Sequence, residues 1–128
     1  VGNLEEWGVG IQYEVAFSGE VPKVEAVKAA LAERDIQLQM RMVDGALAAP
    51  AELPPENWSE IRVAIAKNML TVRRHENTIA VVAWGNADGA MADAWRAITW
   101  AFAAAGSGLV KSEEGIQTAD QFAASHPF

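Results

Sequence analysis

The chain has 128 residues, no cysteine, and 17 acidic against 10 basic side chains, giving a formal charge of −7. That length suits one domain, 1–128, with a hydrophobic core of its own; the missing cysteines exclude a disulfide scaffold, a thiol nucleophile and any thiolate metal site. The average field repels nucleic acid and anionic membranes, and no stretch reaches the roughly 20 apolar residues that a membrane span needs. The start, VGNLEEWG, lacks the basic and apolar runs of a secretory signal. A reducing cytoplasm is the favoured setting, and secretion of a processed form stays open.

Trp7, Val9, Ile11, Tyr13, Val15 and Phe17 alternate with small or polar residues, the period of a strand with one buried face. Gly19 ends it. Pro22 suits the first turn of a helix over 22–33, where Val24, Val27 and Leu31 form an apolar stripe. Ile36, Leu38, Met40 and Met42 then alternate with Gln37, Gln39 and Arg41 as a second half-buried strand. This β-α-β unit lets its strands run parallel, with room for another strand between them. Polar residues on the far face favour helices on one face only.

Residues 44–58 hold Asp44–Gly45 and three prolines, and read as a long surface loop. Trp58 either plugs that loop onto the body or serves as an exposed anchor for a partner. Over 59–74, Ile61, Val63 and Ile65 alternate, and Leu70 and Val72 begin a second alternation after Lys67–Asn68. A strand pair is the favoured reading; a helix over 57–74 competes because Ile61, Ile65, Met69 and Val72 also lie at helical spacing. Thr78 to Trp84 is a buried strand, and Asp88 is placed to cap the helix that follows. That helix carries Met91, Trp95, Ile98, Phe102 and Ala105 on one face. Trp100 lies off the stripe, against the tail or at an interface. Gly106 and Gly108 end the helix, and 107–128 reads as a tail with a weak helical stretch over 113–124, docked or mobile. The fold class expected is α+β: a two-layer, mixed or antiparallel sheet with helices packed on one face.

Chemistry is sparse. His75 and His126 are the two histidines, and they form no zinc pattern with each other or with a carboxylate. His75 reads as a turn or surface residue, and becomes a base only if Asp88 or Asp93 approaches it. His126 reads as terminal and solvent-facing. WGNADGA lacks a nucleotide-binding glycine pattern, and no serine-hydrolase elbow is present. No cofactor or metal is expected.

Residues 61–77 set Arg62, Lys67, Arg73 and Arg74 against Glu76, a local basic segment in an acidic chain. The resulting expectation is a small acidic protein-interaction module that chaperones, inhibits or neutralises another protein, or self-associates. An enzyme is the less favoured reading. Trp7, Trp58, Arg73, Arg74 and Trp100 are the candidate contacts. The alternative is a small-molecule-binding domain or small enzyme with a pocket between the sheet and the C-terminal helix, where Tyr13, His75, Trp84 and Asp88 would converge.

Overall fold

The computed structural model describes residues 11–85 and 87–128. Its strands are β1 (Ile11–Ala16), β2 (Leu38–Val43), β3 (Ala46–Leu47), β4 (Glu60–Ile65), β5 (Asn68–His75), β6 (Thr78–Ala83), β7 (Leu109–Ser112) and β8 (Gly115–Gln117). The helices are α1 (Val24–Ala32), α2 (Gly89–Gly106) and α3 (Ala119–Ser125). All eight strands join one sheet in the order β3-β2-β4-β5-β6-β1-β7-β8. Every neighbouring pair is antiparallel. The fold is thus α+β, with the helices on one face. The expected β-α-β unit is present as β1-α1-β2. Its strands run parallel because four antiparallel steps separate them, with β4, β5 and β6 between.

Alternation decides which side chains meet the helices. Tyr13, Val15 and Phe17 point that way with Ile79, Val81, Val72, Leu70, Val63 and Ile61, all buried. The competing reading of 59–74 resolves as strands. Ile65 pairs with Asn68 around a two-residue turn, and Ala66 takes a positive φ of 55° there. The two-residue turn switches the inward positions from odd to even numbers, so Ile61, Ile65 and Val72 of the helical-spacing set face the helices while Met69 faces outward.

In β2 the register shifts between Met40 and Met42. The bulge at Arg41 turns Met42 away from the helices, where it pairs with Arg62, and Val43 pairs with the inward Ile61 instead. The simple alternation read through Met42 therefore stops at Met40. The loop over 44–58 includes the two-residue β3, and the carboxylate of Asp44 closes it by accepting from the Ser59 and Glu60 N–H groups, both at 2.9 Å.

α1 buries Val24, Val27 and Leu31 as predicted, although it begins at Val24, with Pro22 just outside it. α2 is buried on more than the expected stripe: Ala92, Ala94, Ala97, Thr99, Trp100, Ala101 and Ala103 are covered as well as Trp95, Ile98 and Phe102. It is packed between the sheet, α1 and α3, so an alanine-rich surface finds neighbours almost all round. The Trp95 indole N–H donates to the Val81 carbonyl at 2.8 Å, fixing helix to sheet. Asp88 occupies the N-cap position, but its side chain accepts no hydrogen bond from the first turn.

At the other end of α2, the left-handed residue is Ser107 (φ 52°), and the Gly108 N–H returns to the Ala103 carbonyl at 2.9 Å. The flanking glycines serve close approach. A Cβ on Gly106 or Gly108 would lie 2.7 Å from Cε1 of Phe17.

The tail departs most from expectation. Residues 109–117 form the hairpin β7–β8, and the helix begins only at Ala119. Thr118 and Gln121 build a reciprocal capping box ahead of it. Phe122, fully buried, pins α3 to the core. No helix among the described residues is long and apolar enough to cross a membrane.

Candidate functional site

No described helix packs on the sheet face opposite α1, α2 and α3, although Ala64, Thr71 and Val82 on that face are buried. Of the seven large hydrophobic side chains exposed among the described residues, five project from this face: Leu47, Met69, Trp84, Leu109 and Ile116, leaving Ile11 and Leu53 elsewhere. The face carries Arg62, Arg73 and Lys111 against Glu14 and Glu60. Arg41 joins them at the bulge, its guanidinium donating to the outward Gln39 side chain at 3.0 Å. Four cations against two anions make the face formally +2, so the rest of the −7 chain holds −9. The middle row of paired residues reads Glu60, Arg73, Ala80, Glu14, Lys111, Ile116 across six strands. Arg73 Nε donates to Glu60 Oε1 at 2.9 Å and its guanidinium stands 5.4 Å from the Trp84 ring centroid. Trp84 in turn donates its indole N–H to Thr71 Oγ1 at 2.9 Å. The result is a braced surface with an aromatic ring, 38% exposed, at its upper rim.

The candidates from sequence are dispersed. Trp7 lies outside the described residues. Trp58 is only 2% exposed and plugs the loop into the core against Phe102, at 6.5 Å between centroids. Arg74 points to the helix side, 4.6 Å above Trp58, and donates to the Glu56 carbonyl at 2.7 Å. Trp100, 7% exposed, packs on the tail through Phe128 at 5.5 Å and carries the Arg34 guanidinium at 4.1 Å. Burial leaves these two tryptophans little surface to offer a partner. Arg73 alone of the described contact candidates stands on the open face. The basic segment 61–77 is therefore no single patch: Arg62 and Arg73 face outward, Arg74 inward, and Lys67 sits in a turn.

The residues expected to converge on a pocket do not. His75 is exposed, pairs with Thr78 and stands with Trp84 on the open face, whereas Tyr13 faces the helices. Asp88 is exposed at the start of α2. Tyr13 instead meets the other histidine. His126 is buried, not solvent-facing: it stacks on Phe122 at 4.5 Å and meets Tyr13 edge-on at 5.8 Å. Its Nε2 lies 3.1 Å from Glu114 Oε1 and its Nδ1 2.8 Å from Ser125 Oγ. An imidazole protonated at Nε2 donates to the carboxylate and accepts from the hydroxyl.

Ser125 Oγ also accepts from Gln117 Nε2 at 3.0 Å and lies 3.1 Å from the Gln121 carbonyl. In this geometry the chain of contacts clasps α3 to the β7–β8 hairpin. A sequence signal for it existed: the Thr118-x-x-Gln121 box starts a helix that places Phe122 and His126 one turn apart on the same face.

Beside this clasp is a cleft of about 630 Å³, lined by Tyr13, Trp95, Lys111, Glu113, Glu114 and His126 among others. Burial raises the pKa of the Tyr13 hydroxyl, opposed by a hydrogen bond from Arg96 and by its charge. The Glu114 carboxyl lies below its usual range, chiefly through the hydrogen bond from Ser112, with His126 adding to the effect. A second cleft, about 520 Å³, runs between the segment before α1 and the proline loop, past Lys23, Glu56, Trp58 and Arg74. Among the described residues, no three His, Asp or Glu side chains gather as a metal site. Comparison with protein-family models, with characterised proteins and with solved structures finds no match.

Proposed function

We propose that the chain is a small acidic protein-interaction module whose contact surface is the open face of the sheet. The observation that carries this reading is that five of the seven exposed large hydrophobics among the described residues project from this one face, spread from β3 to β8. Scattered single apolar residues are normal on any surface, but a bias of them to one face, among charges of both signs, is what a contact region offers. The same face is the part of the surface where the strong negative charge is absent, so a partner meets apolar groups and paired charges there. A cytoplasmic setting is compatible with the cysteine-free composition.

The test is to isolate the chain in a stoichiometric complex and change one residue on each side. Leu109→Asp, on the open face, is expected to abolish the complex with folding retained; Glu25→Arg, on exposed α1 surface, is expected to leave it intact. The opposite pattern, or a chain that forms no complex with any protein, itself included, overturns the reading.

A second reading has its own observation, the cleft beside Tyr13, Trp95 and His126. Aromatic walls with a few convergent polar groups are what small-molecule sites share. A ligand bound there would lose affinity on Tyr13→Phe or Glu113→Ala, while Met69→Asp, on the open face away from the cleft, would leave it unchanged.

A further inference from the structure

The charge pattern of the open face identifies its occupant. Resting on the reading that this face is the contact surface, the geometry points to a second copy of the same chain, packed sheet to sheet about a two-fold axis that runs along β6. A two-fold contact needs a surface complementary to itself, and three features meet that demand.

First, a residue on the axis meets its own copy, so it must carry no charge. The open-face residues at β6 are Thr78, Ala80, Val82 and Trp84, all uncharged. Second, an axis along the strands sets each strand over the strand equally far on the other side of β6. In the middle row, β5 supplies Arg73 and β1 supplies Glu14, while the next strands out supply Glu60 and Lys111. Arg73 then faces the second copy's Glu14, and Glu60 its Lys111. Every opposed pair has opposite sign, and each occurs twice.

In the next row Thr71 and Val82 are already buried within the chain, 1% and 3% exposed, so the contact near the axis falls to the exposed Trp84 and the charged middle row. Stacked sheets lie about 10 Å apart, within the joint reach of an arginine and a glutamate; twist moves the outermost strands out of this register, so the match is best near the axis. Third, two chains of −7 repel through most of their surfaces, but this face is formally +2, with Arg73 ion-paired to Glu60. It is where like copies approach at least electrostatic cost.

The experiment is sedimentation equilibrium on the purified chain and two reversed variants, with folding checked by circular dichroism. The wild type is expected to reach twice the 13.7 kDa chain mass. Arg73→Glu and Glu14→Arg each place like charges face to face twice, and each is expected to weaken the dimer by about a hundredfold. Mixed in equal amounts, the two variants are expected to regain the dimer. The new carboxylate at position 73 of one chain then meets the new guanidinium at position 14 of the other, and the native Glu14 and Arg73 that remain meet as well. A broken contact within one chain, such as Arg73 with Glu60, is not mended by adding another chain. Should either variant fail to fold, Glu60→Lys with Lys111→Glu repeats the logic.

A variant mixture that stays monomeric, or a dimer indifferent to reversal, overturns the proposal. So does a monomeric wild type, and oxidation of Trp84 then separates the two claims. A monomer with Trp84 reactive leaves the face free for a different protein and removes only the second copy. A dimer with Trp84 as reactive as in the monomer removes both.

Discussion

Gly108→Ala tests the account of how the end of α2 meets the sheet. The added methyl would sit 2.7 Å from Phe17 Cε1 and 2.7 Å from Val15 Cγ1. Favourable carbon–carbon contact lies near 3.5–4.0 Å, so both overlaps approach ~1 Å. Neither neighbour has room to swing, since Phe17 is 3% exposed and Val15 fully buried. Gly108 does not have a left-handed φ, so backbone strain adds nothing and the cost is steric. Overpacking of this kind costs about 1–3 kcal/mol, and two rigid contacts place the expected loss near the upper end, about 3 kcal/mol.

The assay is urea unfolding, reading the midpoint at constant slope. Gly19→Ala is the control: a Cβ there meets nothing within 4 Å, and the change should be within about 0.5 kcal/mol of neutral. Phe17→Leu in the Gly108→Ala background should recover part of the loss, and the double-mutant cycle should show coupling. A Gly108→Ala protein as stable as the Gly19→Ala control would refute the reasoning.

Two further outcomes follow from the tail and the long loop. Phe122→Ala removes the fully buried ring that stands 5.0 Å from Tyr13 and 4.5 Å from His126; about 3–5 kcal/mol should be lost, with α3 undocking in hydrogen exchange, and a loss below about 1 kcal/mol would mean that the tail is not part of the core. Asp44→Asn keeps the acceptor oxygen but removes the charge. Hydrogen bonds from Glu60 and Ser59 hold the Asp44 carboxyl below its ordinary 3.8, so its stabilising contribution is present above that unfolded value and is lost as the pH falls through the lower folded one. The wild type should therefore exceed the variant in thermal midpoint at neutral pH, with the gap closing below about pH 3.8; a gap independent of pH would contradict this.

Much of the fold is legible in the sequence because burial follows period. Tyr13, Val15 and Phe17, and again Thr78 to Ala83, declare strands by composition and alternation alone. The β7–β8 hairpin is not legible for the same reason: strands of four and three residues leave only Val110 buried. The bulge at Arg41 stays hidden because Met42 is apolar whichever way it points. Trp58 and Trp100 illustrate a different limit. An aromatic residue in a loop or off a helix stripe is either an anchor or a plug, and only the position of Phe102 or Phe128 decides between them.

The charge pattern of the open face is invisible in the sequence for a topological reason. Glu14, Glu60, Arg73, Ala80 and Lys111 are scattered along most of the chain, and only strand order sets them in one row. His126 reads as solvent-facing because Glu114 arrives through a hairpin that the sequence does not reveal, and Tyr13 through the pairing of β1 with that hairpin.

The most direct measurement of whether the open face is the contact surface is hydroxyl-radical footprinting of the chain, read residue by residue as the complex forms. Met69 and Trp84, 42% and 38% exposed on that face, should lose reactivity, while Leu53, 47% exposed in the proline loop, should keep it. Protection of Leu53 with Met69 and Trp84 unchanged would contradict the account.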